Sequence, residues 1–208
     1  MLYLLVLLMS LHASFADRVQ DAYAREDADA LRTLLQDADT RTDSLLVRYR
    51  LYPLTENADL VNDLPETLDD GTAREWALLS GLWSYRAGEA SLFNAVTYGR
   101  RSANLLETAQ SIDPDDPYVL LIGGQSLLFR PAVAGKDSDA AAQQFDQLAE
   151  LAEQNKTDGI PPVEAYLWKW LALKEADRPD DAQALHKQLG SRTLAPLYQQ
   201  FIDDPPDV

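Results

Sequence analysis

The sequence predicts an all-α fold: a solenoid of helical hairpins, about three irregular repeats of roughly 40 residues behind an N-terminal helical cap. Three observations predict it. Residues 100–131, RRSANLLETAQSIDPDDPYVLLIGGQSLLFRP, read as the second helix of one hairpin, a proline-marked turn and the first helix of the next. The second of those helices, Tyr118–Phe129, is too apolar for a surface helix and must be covered on several sides. The small residues Ser102, Ala141 and Ala182 recur about 40 positions apart, each inside a second-helix pattern.

In chain order, residues 1–16 read as a signal peptide. Leu2 to Leu11 is almost wholly apolar and Ser14-Phe15-Ala16 offers small residues at −3 and −1 of a cleavage site, although no Lys or Arg precedes the run. The other reading is an N-terminal helix buried in the core. Residues 17–53 form the helical cap: two short helices meeting near Glu26–Asp29, then a third over Asp43–Tyr52 stopped by Pro53. Its stripe of Leu45, Leu46, Tyr49 and Tyr52 points inward. Arg48 and Arg50 beside these tyrosines admit an anion site, although such arginines are more often solvated or paired with the many acids nearby. Residues 54–71, polar and ending Asp69-Asp70-Gly71, read as a connector with a short helix near Ala58–Asn62.

Residues 72–202 carry the repeats. The first opens with Trp76-Ala77-Leu78-Leu79-Ser80-Gly81-Leu82-Trp83, and Ser102, Leu106, Ala109 and Pro114 close it after about ten extra residues. Asp113-Pro114 stops that helix, because proline lacks the amide and disfavours α geometry before it. Asp115 or Asp116 can cap the next helix with Pro117 at its first position. In the second unit, Asp116–Glu153, Val119, Ile122 and Gly123 mark the first helix and Ala141, Phe145 and Leu148 the second, capped by Asp137 or Ser138. The third, Pro162–Gly190, has Tyr166, Leu173, Ala182 and Leu189 in place but departs at Lys169 and Trp170. His186 takes a bulky position there, where a packed, hydrogen-bonded histidine is expected. A last helix, Leu194–Ile202, covers the end, and residues 203–208 read as a disordered tail.

The spacing W-x2-L-(small)-x2-aromatic, followed by small–bulky–Ala–Pro, resembles the tetratricopeptide repeat (TPR) family over Thr72 to Gly190. IDPDDP, FRP-x3-GKD-x2-A and PPVEAYLW are similar to bacterial cell-envelope TPR proteins with a P…GG-D loop, although Gly135-Lys136 stands here for Gly-Gly. The resemblance implies a non-enzymatic protein that mediates protein–protein interaction in the bacterial cell envelope, periplasmic or secreted, with no membrane insertion after signal cleavage. The alternative, second to this, is a TPR-like small-ligand-binding accessory protein of a solute transport system. An enclosed apolar cavity near Tyr85, Phe129 and Trp168 would mark that second role. Carried over by position, the concave face is expected to use Arg74, Tyr85, Leu167, Trp168, Leu171 and Lys174. Ala77, Gly81, Ser84, Glu164 and Glu175 flank them, and Leu120, Gly124, Leu127 and Leu128 of the middle unit are apolar enough to be covered instead. For Tyr85, Trp168 and Trp170 core packing is the competing reading.

The net charge of −16, with 24 Asp against 10 Glu and 13 Arg against 5 Lys, argues against nucleic acid and anionic membranes as partners. The acids are spread along the chain, which reads as adaptation to a salty solvent, with a cationic ligand as the alternative. There is no cysteine, and a mature chain would keep only His186, so neither thiol chemistry nor a histidine-based metal site is expected. No cofactor is expected. Gly123-Gly124 lacks the Lys-Ser/Thr of a phosphate loop and suits close helix packing; Asp113, Asp115 and Asp116 lack calcium-loop spacing. The paired carboxylates lie in polar connectors, where nothing raises a pKa for acid catalysis.

Overall fold

A computed structural model describes residues 13–208; most of the predicted signal peptide lies outside the described residues. All regular elements described are helical: α1 (Phe15–Ala24), α2 (Ala28–Gln36), α3 (Arg41–Thr55), α4 (Asp59–Asn62), α5 (Ala73–Gly88), α6 (Leu92–Ile112), α7 (Pro117–Phe129), α8 (Ser138–Glu153), α9 (Pro162–Glu175), α10 (Pro179–Gly190) and α11 (Pro196–Asp203), with a 3-10 turn at Ala132–Ala134. None of these helices is long and apolar enough to cross a membrane. The starts follow local chemistry. Asp116 caps α7 with Pro117 behind it, Asp137 caps α8, and Thr72 with Glu75 closes a reciprocal capping box on α5.

Consecutive helices pair antiparallel through small residues. Ser80 Oγ donates to the Ser102 carbonyl at 2.8 Å and Ser102 Oγ returns a bond to the Ser80 carbonyl at 2.9 Å, so α5 and α6 touch nearly backbone to backbone. Gly124 does the same for α7 and α8: a β-carbon there would sit 2.5 Å from the Phe145 ring. The helices α3, α5, α7 and α9 run side by side, Gly81 of α5 meeting Tyr49 of α3 and Ile122 of α7. Ser102, Ala141 and Ala182 are all buried.

Several local expectations change. Pro53 does not stop α3, which continues to Thr55: its fixed φ suits the helix, and burial of Leu51 and Tyr52 in the turn before it holds the chain where the bond is lost. The polar connector buries Leu60, Val61, Leu64 and Leu68, and the Pro65 carbonyl accepts from the Trp83 indole at 3.0 Å. The extra residues after Trp83 lengthen α6 to 21 residues rather than forming a loop. His186 lies 5.3 Å from the Trp170 ring but stays exposed. At the C-terminus, Val208 packs against the core instead of fraying.

The largest departure concerns the ends. The helical cap is more than a cover on one end, because α1 reaches across the molecule. Ser14 Oγ donates to Asp158 at 3.3 Å, Ala16 packs on Gly159, and Gln20 Nε2 donates to the Tyr198 hydroxyl of α11. The first and last of the described helices thus meet. Gly159 is required there: its φ is +86° and a β-carbon would fall 2.9 Å from Ala16.

Candidate functional site

The inner side of α3, α7 and α9, where α1 lies, is built around one ion pair. Arg50 of α3 clamps Glu164 of α9 through both nitrogens, at 2.5 and 3.2 Å, and the two side chains are 2% and 4% exposed. Tyrosines close around it: the guanidinium carbon lies 4.7 Å from the Tyr23 ring centre, 5.6 Å from Tyr49 and 6.0 Å from Tyr118. Tyr198 donates to Glu164 at 3.5 Å. Burial by itself would weaken the Arg50 charge, but the Glu164 carboxylate outweighs it and holds the guanidinium firmly protonated. Burial also pushes the Tyr23 and Tyr118 hydroxyls up to about 12, and Tyr49, Tyr85 and Tyr198 upward too. These phenols therefore act as neutral donors and as ring surfaces. Arg50 Nε and Gln20 Oε1 are buried without a hydrogen-bond partner among the described residues.

Beside this cluster, towards the C-terminal ends of α5, α7 and α9, a run of aromatic rings is left partly open. Tyr85 stacks on Tyr52 at 4.6 Å and on Tyr49 at 5.5 Å, and Tyr49 donates to Gln125 Oε1 at 2.6 Å. One turn on from Gln125 stands Phe129, edge-on to Trp168 at 6.1 Å; Trp168 meets Phe201 of α11 at 4.9 Å. Phe129 is 45% exposed, while Tyr85, Trp168 and Phe201 are half-buried. The row spans four helices and offers ring faces and edges, suited to apolar or aromatic side chains of a ligand.

The residues singled out from the sequence fall apart into groups. Tyr85 and Trp168 belong to this row. Leu167 and Leu171 are each 1% exposed and present nothing to a partner: they sit on the α9 stripe that follows Glu164 into the core. Arg74 is at the far end of α5, paired with Asp158 at 2.6 Å and Asp116 at 3.4 Å, over the Tyr118 ring. Lys174 is exposed beside α10, 5.8 Å from the Trp170 ring. Most of the middle unit is covered: Leu120 and Leu128 are buried and Gly124 faces α8, while Leu127 is half-buried. Sequence reasoning missed Tyr23, Tyr118, Tyr198 and Phe201, and did not join Arg50 to Glu164. The one available signal was an arginine set between inward tyrosines.

Two clefts lie away from the row. One of about 340 Å³ runs between α8, α9 and α10, floored by Lys169 and Leu173 with Asp146, Arg178 and Asp181 at its rim. The other, about 220 Å³, lies by Asp115, Gln144 and Gln147. Both are edged by charge or amide, unlike the apolar cavity by Tyr85, Phe129 and Trp168 that a small-ligand site calls for. No family model matches the chain, and no curated protein or solved structure matches it either.

Proposed function

We propose that this chain is a non-enzymatic, TPR-like helical-repeat protein of the bacterial cell envelope, exported to the periplasm or beyond, that grips a protein or peptide partner. One observation supports the reading best: the row Tyr85, Phe129, Trp168 and Phe201, half-open on the side of the helices that already receives α1. A surface that takes one amphipathic helix, with Val19, Gln20 and Ala22 turned into it, is suited to docking a second apolar segment alongside. Within this reading the repeats run from Thr72, and the buried small residues are the contacts that let each helix pair approach.

The test is recovery of partners from the native envelope fraction on immobilised protein. Wild type is expected to retain a specific protein that Phe129→Ala and Trp168→Ala lose about ten-fold or more, since ring anchors dominate such interfaces. Phe129→Ala, at a half-exposed position edge-on to Trp168, should cost only about 1 kcal/mol of stability. Equal recovery by wild type and both variants would contradict the assignment.

A further inference from the structure

Five of the six most exposed large apolar side chains cluster on two neighbouring connections. Leu92, Phe93 and Val96, at 85, 91 and 54% exposure, open α6; Phe129 and Val133, at 45 and 100%, flank the α7–α8 turn. The topology brings these tips to one edge. Arg74 pairs with Asp116 and Gly81 meets Ile122, so α5 and α7 are parallel and their C-terminal ends lie together. Charge along these two connections runs against the rest of the chain, while Glu66 and Glu175 reach them from neighbouring elements. Residues 85–101 hold three arginines and one glutamate, and 126–137 hold Arg130 and Lys136 against Asp137, in a protein of net charge −16. Arg101 is paired with Glu66 and Lys136 with Glu175, but Arg86, Arg100 and Arg130 form no ion pair among the described residues. Arg86 instead sets its guanidinium carbon 4.8 Å from the ring centres of both Trp83 and Tyr98.

We propose that this edge docks on the surface of an anionic lipid bilayer, with Leu92, Phe93 and Val133 entering the headgroup boundary and Arg86, Arg100 and Arg130 meeting the phosphates. Side chains that project at convex tips suit a yielding surface; a rigid protein partner needs a broad flat patch of about 800 Å² on each side. Phe93, Val96 and Arg100 follow helical spacing, so apolar and cationic groups share one face of α6. The whole-chain charge had pointed away from membranes because it averages over this edge. The acidic body would then face solvent and set the orientation.

The absence of cysteine makes a site-resolved test direct. Full-length Phe93→Cys, carrying an environment-sensitive dye, is mixed with vesicles of phosphatidylcholine alone or with phosphatidylglycerol added. Ile112→Cys, 51% exposed at the other end of α6, is the control. A blue shift at position 93 but not at 112, with phosphatidylglycerol vesicles only, is expected, and Arg100→Gln should weaken it about five-fold. No shift at 93 overturns the proposal, including when the apolar N-terminal run carries the chain to vesicles and leaves the dye in water. A shift that grows with protein concentration without lipid also overturns it, in favour of pairing between two copies.

Discussion

Arg50 and Glu164 stand 114 residues apart, yet their bond ties α3 to α9. Removing two charges from water costs several kcal/mol each, and the bidentate geometry with tyrosine faces offsets that only while both partners remain. Arg50→Met or Glu164→Leu alone is therefore expected to cost about 3–5 kcal/mol, whereas the two together recover most of the loss. Urea denaturation of the four proteins reads the coupling; simple additivity would deny the pair its role. Glu75 gives a second residue-scale prediction. The hydrogen bond from Arg41 holds its carboxyl below the usual range, against burial, with Thr72 and Thr42 adding to it. A depressed carboxylate stabilises the fold fully above the unfolded value near ~4.3 and loses that contribution as pH falls through its lower folded value. Wild type should thus lose stability more steeply than Glu75→Gln on acidification below about pH 4.3, and parallel curves would contradict this. The ion pair was not legible in the sequence, because pattern reasoning sees neighbours along a helix. Arg50 reads as one more solvated arginine until α9 is laid beside it.

At the scale of elements, the close-approach glycines separate from the idle ones. Gly124→Ala would push a methyl into the Phe145 ring and should cost about 1–3 kcal/mol. Gly99→Ala, inside α6 with open space around it, should instead gain about 0.5–1 kcal/mol. Both are read as shifts of the urea midpoint at constant slope. Reversed signs would mean that α7 and α8 do not meet where described. Element existence was legible from periodicity and caps: Asp116-Pro117 and Asp137 start α7 and α8 where expected. Pro53 was misread because a local rule was overridden by packing of Leu51 and Tyr52.

Across the whole molecule, the net charge of −16 sets up self-repulsion that salt screens. Adaptation to a salty solvent predicts a melting temperature that climbs with KCl; a flat response would favour a cationic ligand. The all-helical class and the pairing of small residues could be read from the chain because each depends on spacing within some 40 residues. Contact between the two ends could not, since nothing in Gln20 or Tyr198 announces the other. That contact decides whether α1 lies across α3 and α11 beside the Arg50–Glu164 pair. It is tested most directly by spin labels at Asp21→Cys and Gln199→Cys, both exposed and each next to one member of the Gln20–Tyr198 bond. Pulsed dipolar spectroscopy should give a single short, narrow distance, whereas a long or broad distribution would mean that α1 does not reach α11.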